Sequence, residues 1–124
     1  MKKFLVIDDE LVMLKLIQRY SERMNFIPTL CDTWEEGMKQ FDENTYDLVI
    51  LDIHMPGKDG FQLAKEIRAA KPDQVILIIT GLGAGDVFSY YSTGENEVDF
   101  NDIIYKPFSF EKFQAIVANL FKHY

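Results

Sequence analysis

Leu48-Val49-Ile50-Leu51-Asp52, running on into Ile53-His54-Met55-Pro56-Gly57-Lys58-Asp59-Gly60, is the stretch around which the chain is organised. Four consecutive apolar residues leave no side for water, so they predict a strand buried on both faces, as in a parallel sheet. The carboxylate of Asp52 follows where such a strand leaves the core. Pro56 and Gly57 then break the backbone before an apolar-periodic helix. Ligands of open α/β sheets bind beyond the carboxyl ends of the strands, so Asp52 stands where chemistry is expected.

On either side of this stretch, apolar runs alternate with helical patterns. Upstream, Phe4–Ile7 reads as a short buried strand ending at Asp8-Asp9-Glu10. A helix follows from Leu11 to Met24, with Met13, Leu16, Ile17, Tyr20 and Met24 on one face. Phe26 to Cys31 reads as a second strand, and Pro28 within it cannot donate to a ladder, which predicts a place at the sheet edge. Thr33-Trp34-Glu35-Glu36 has the form of a capping box, in which each end hydrogen-bonds the other's amide. It opens a helix that carries Trp34, Met38 and Phe41 inward and ends near Asn44.

Downstream of Gly60, a helix from about Phe61 to Ala70 shows core spacing at Leu63, Ala64 and Ile67. Val75–Ile79 is a fourth buried strand ending at Thr80-Gly81. Beyond it the pattern loosens: Gly81, Gly83 and Gly85 lead into a segment poor in helix formers that stops at Gly94. Ile103–Tyr105 makes a short fifth strand ending at Lys106-Pro107. Ser109 is a candidate N-cap for a last helix with Phe113, Ile116, Val117, Leu120 and Phe121 on its core side.

Five strands alternating with five helices predict a doubly wound α/β fold, a parallel sheet with helices on both faces. At 124 residues the chain fits one domain with a proper core, and no apolar run approaches membrane-spanning length. A net charge of −7 argues against nucleic-acid binding by this domain, and a cytoplasmic setting is expected. The single Cys31 excludes an internal disulfide and reads as buried and inert. With His54 and His123 far apart it offers no Cys/His metal spacing.

The strand ends share one rim. Strand one brings Asp8 and Asp9, strand three Asp52, strand four Thr80 and strand five Lys106. Clustered carboxylates repel, so they call for a hard divalent cation, and Mg²⁺ favours few carboxylates together with waters and phosphate oxygens.

These residues carry a resemblance. Asp8-Asp9 after strand one, Asp52 after Leu48–Leu51, Met55-Pro56-x-x-Asp59-Gly60, Thr80-Gly81 and Lys106-Pro107-Phe108 stand in the order found in response-regulator receiver domains of two-component signalling. Over its whole length the chain resembles that family, as one receiver domain spanning residues 1–124 with no output domain expected. The resemblance implies a five-stranded sheet of order 2-1-3-4-5. It implies that Asp52 accepts a phosphoryl group from the phosphohistidine of a sensor histidine kinase or phosphotransfer protein. Mg²⁺ would be held by Asp9, Asp52 and the backbone carbonyl of His54, with Asp8 acting mostly through water. Lys106 would contact one phosphoryl oxygen and Thr80 another, and the Lys106–Pro107 peptide would be cis. The expected activity is that of a phosphoacceptor, with at most weak self-phosphorylation and self-dephosphorylation. Its switch face would be the helix after strand four, strand five and the last helix, read by a downstream partner that the sequence does not name.

Three features depart from the family pattern. The position three residues before the lysine is usually aromatic and is Ile103 here, while the nearby aromatic is Tyr105. This puts the usual threonine–aromatic coupling in question. Thr80 and Lys106 lie further apart than is usual, which predicts a short or displaced helix and a mobile face between the fourth and fifth strands; of Tyr90 and Tyr91, core packing of one is favoured over an exposed partner patch. His54 sits two residues past the acceptor, where it either leans over the phosphoryl group and affects attack by water or is simply an exposed loop residue. A haloacid-dehalogenase-type phosphatase would need an Asp where His54 stands. A degenerate receiver serving as a phosphorylation-independent docking module is the remaining alternative.

Overall fold

The computed structural model describes residues 1–58, 60–81 and 100–123. Strands β1 (Lys3–Ile7), β2 (Ile27–Cys31), β3 (Leu48–Asp52), β4 (Ile76–Thr80) and β5 (Asp102–Tyr105) form one sheet of order β2-β1-β3-β4-β5. Every pairing is parallel. Helices α1 (Leu11–Arg23), α2 (Trp34–Glu43), α3 (Gly60–Ala70) and α4 (Phe110–His123) cover it. The helix expected between the fourth and fifth strands, with Tyr90 and Tyr91, lies outside the described residues, as does Asp59.

Alternation along the strands explains the two-sided core. Leu5, Ile7, Val49, Leu51, Ile76 and Ile78 pack with α2 and α3 on one face. Phe4, Val6, Leu48, Ile50, Leu77 and Ile79 pack with α1 and α4 on the other. Pro28 sits in the edge strand, as expected, opposite Phe4. Ile103 packs on the side of α2 and α3, and Ile104 on the opposite side. Tyr105 lies two residues beyond Ile103 along the strand, so it shares that residue's face, and it is partly exposed.

Two helices differ in detail from their patterns. In α1 the buried residues are Leu14, Ile17 and Ser21, while Met13, Tyr20 and Met24 only flank the core. Ser21 is tolerated there because its hydroxyl donates to the Ile17 carbonyl at 2.7 Å. In α2 half of the capping box forms: the Glu36 amide donates to Thr33 Oγ1 at 3.2 Å. The Glu36 carboxylate instead accepts from Gln40 one turn on. Ser109 does cap α4, accepting from the Lys112 amide at 3.1 Å. Cys31 is buried and unpaired, and burial, helped by the charges of Glu36 and Asp32, pushes its thiol up to about 11. That agrees with an inert side chain.

Candidate functional site

Register brings the site together. Ile7 pairs with Leu51, so Asp8 emerges beside Asp52. Thr80 pairs with Tyr105, so Lys106 emerges next to Thr80, with its amide donating to the Thr80 carbonyl at 2.7 Å. The Lys106–Pro107 peptide is cis.

Asp52 is 2% exposed, and its Oδ1 accepts from the His54 amide at 3.0 Å. This bond folds the start of the loop back onto the carboxylate and leaves Oδ2 facing Lys106 Nζ at 3.5 Å. Asp8 is buried beside it. Its Oδ1 accepts from the Glu10 amide at 2.9 Å. Its Oδ2 is buried without a hydrogen-bond partner, 3.5 Å from Lys106 Nζ. Thr80 is fully buried at the end of β4.

The sequence places Asp9 and His54 at this rim as well. Both are exposed. Asp9 lines a neighbouring cleft of about 270 Å³ with Asp32, Trp34, Glu35 and Met55. The structure adds Glu10, which the strand-end reading passed over. Its Oε1 accepts from Lys106 Nζ at 2.8 Å, and oxygens of Asp8, Glu10 and Asp52 lie within 4.8 Å of one another. Only the charge of Glu10 signalled this in the sequence, because its partner is far along the chain.

The electrostatics are unbalanced. Burial pushes the Asp8 carboxyl up to about 7. The Glu10 amide and Lys106 oppose the rise, and the charge of Asp52 adds to it. Burial works against the Lys106 ammonium, but its hydrogen bond to Glu10 and the charges of Asp8 and Asp52 outweigh that and raise its pKa above 10.5. Among the described residues, one ammonium against three carboxylates leaves the cluster short of positive charge. The unpartnered Asp8 oxygen and the all-oxygen donor set suit a hard cation, so these residues can hold a metal ion.

The profile of the response regulator receiver domain matches residues 4–118. The chain belongs to this family. Its relatives include the transcriptional regulatory protein ResD of Bacillus subtilis, 34% identical over 108 residues, a span covering 86% of this chain and 42% of that protein. Another is RprY of Bacteroides fragilis, 33% identical over 89% of this chain and 45% of its own length. The receiver domain thus spans less than half of both regulators. Among solved structures, the response regulator TrrA of Thermotoga maritima in complex with Mg²⁺-BeF is 32% identical with a TM-score of 0.84, over 97% of this chain and 99% of that one. A receiver domain protein of Clostridium thermocellum is 26% identical with a TM-score of 0.84, over 99% and 96% of the two chains. No helix among the described residues of this receiver is long and apolar enough to cross a membrane.

Proposed function

We propose that this receiver is the phosphoacceptor of a phosphorelay, with Asp52 as the acceptor. The observation that carries the reading is Asp52 Oδ2 at the end of β3, facing the Lys106 ammonium beside buried Asp8. A carboxylate oxygen of Asp52 forms a bond to the phosphorus of a phosphohistidine on a sensor histidine kinase or phosphotransfer protein. The phosphorus–nitrogen bond breaks, and the imidazole leaves with a proton from solvent. Lys106 contacts one phosphoryl oxygen and Thr80 donates to another. Mg²⁺ is the expected cation: Asp9, Asp52 and the His54 carbonyl would hold it, with Asp8 acting mostly through water, and it would neutralise charge on the transferring phosphoryl oxygens. The dianionic product draws the Thr80 hydroxyl inward and alters the side of β5 and α4, where a downstream partner or output domain reads it. The relatives' names favour transcriptional control, with the receiver as a switch rather than an enzyme in its own right.

The test is incubation with acetyl phosphate and Mg²⁺ followed by intact mass. A single phosphoryl group is expected on the native chain, dependent on Mg²⁺ and absent from Asp52→Asn. An unmodified native chain overturns the acceptor assignment and favours the docking module.

His54 is exposed two residues past Asp52, tied to its carboxylate by the backbone amide, and we propose from this proximity that its side chain bears on how fast water attacks the product. The aspartyl-phosphate half-life of His54→Ala should differ from that of the native protein, and equal half-lives remove the idea.

A further inference from the structure

Glu10 stands at the N-cap of α1, a position that favours Ser, Thr, Asp or Asn, whose short side chains reach the first amides of the helix. Its side chain caps nothing. Its backbone is pinned instead: the amide donates to Asp8 Oδ1 at 2.9 Å and the carbonyl accepts from the Leu14 amide at 3.1 Å. The carboxylate is thereby held over the site, where it meets a lysine that comes from the far side of Asp52's strand in the sheet order.

Among the described residues, Lys106 Nζ has three acidic neighbours at unequal distances: 2.8 Å to Glu10, 3.5 Å to Asp52 and 3.5 Å to Asp8. Only the first is a short charge-assisted hydrogen bond. The ammonium therefore rests on Glu10 rather than on the acceptor. The Lys106 side chain is 14% exposed and that of Glu10 59%, so the pair lies at the mouth of the site.

We propose that Glu10 is a positioning residue that holds the Lys106 ammonium off Asp52 between phosphorylation events, and so limits how readily the lysine engages an incoming phosphoryl group. This rests on Asp52 being the acceptor. Glu10 meets the site through the Lys106 ammonium, at 2.8 Å. It acts through Lys106, whose hydrogen bond to Glu10 must loosen before the ammonium turns to a phosphoryl oxygen.

The test measures the rate of phosphoryl incorporation from acetyl phosphate in the full chain, at saturating Mg²⁺ so that any part Glu10 plays in cation affinity drops out. Glu10→Gln keeps the shape and removes the charge. It is expected to react about two- to fivefold faster, the scale of a partly exposed ion pair. Added KCl should speed the native protein and leave Glu10→Gln nearly unchanged, because salt screens that pair. In a Lys106→Met background, which keeps the stem, Glu10→Gln should change nothing, whereas a merely structural role would give the same effect with or without the lysine. Equal or slower rates for Glu10→Gln overturn the proposal, as does an undiminished effect in Lys106→Met. Native protein that takes up no phosphoryl group overturns the acceptor reading and this one with it, an outcome distinct from equal rates.

Discussion

Asp8→Asn makes the protein more stable at pH 7 in EDTA, by on the order of 2 kcal/mol, while weakening its response to Mg²⁺. The cause is burial. The Asp8 carboxyl titrates at about 7 in the folded chain against 3.8 without the fold, so the native state holds its proton more tightly. Between those values the folded protein binds more protons than the unfolded one, and stability must fall as pH rises through the window. The penalty is absent below about pH 4 and complete above about pH 7. Asn carries no charge to bury, although its Oδ1 makes a weaker acceptor for the Glu10 amide than a carboxylate does. Denaturant melts of native and Asp8→Asn between pH 5 and 8 check this directly. The native midpoint should fall with pH and the variant's should stay nearly level. Mg²⁺ should then restore the native protein at pH 8, since a cation that binds only the folded state stabilises it by mass action. Parallel pH slopes for the two proteins would remove burial of Asp8 as the cause.

The same arrangement gives the stability cost a use. A buried carboxylate with one unpartnered oxygen is poorly served by protein alone, and a hard cation supplies what is missing. Lys106 serves as a partial counter-ion in the meantime, drawn towards Glu10 by the shortest of its three contacts.

How much of this could be read beforehand depends on what kind of contact was involved. The strands were legible because runs such as Val75–Ile79 have no polar side, and Pro28 marked the edge by its missing amide. The strand order came from the resemblance and agrees with the sheet. Asp8, Asp52, Thr80 and Lys106 could be gathered because parallel strands end on the same side, and register does bring them together. Glu10 was missed because its partner lies 96 residues away, and an acidic residue at a helix N-cap looks like a surface charge. Ser21 escaped for a different reason. A hydrophobic stripe cannot show a hydroxyl that satisfies itself on the Ile17 carbonyl and so enters the core. The Glu36 arm of the capping box failed locally, because Gln40 offers its carboxylate a nearer donor on the same helix face.

Gly60→Ala should damage both the fold and the placement of Asp52, the proposed acceptor, and the contrast with Gly37→Ala shows why. A Cβ on Gly60 would lie 2.5 Å from Ile53 Cα and 2.6 Å from the Asp52 carbonyl oxygen. Both are backbone atoms, and Gly60 is also tied there by its amide, which donates to the Ile53 carbonyl at 3.1 Å. No rotamer change relieves such a contact, so either α3 lifts from the sheet or the end of β3 moves. Overpacking of this kind costs roughly 1–3 kcal/mol. Moving the end of β3 also moves Asp52 relative to Lys106, and small displacements of reacting groups reduce rates by on the order of tenfold or more. Gly37 lies within α2, and the three atoms nearest a Cβ there would be Cδ1, Cγ1 and Cγ2 of the Ile7 side chain, with no backbone atom as close. Ile7 has to turn as a whole within the core, since Cγ1 is in the way as well as Cδ1, but side-chain torsions can absorb this, and Ala is a better helix former than Gly by about 1 kcal/mol, which offsets part of the strain. Melting midpoints and acetyl-phosphate labelling rates for the two variants should therefore separate. Gly60→Ala is expected to lose both stability and labelling, and Gly37→Ala to lose less stability while labelling at nearly the native rate. A Gly60→Ala protein with native stability and native labelling would show that the contact between the start of α3 and the Asp52 carbonyl does not hold the acceptor in place.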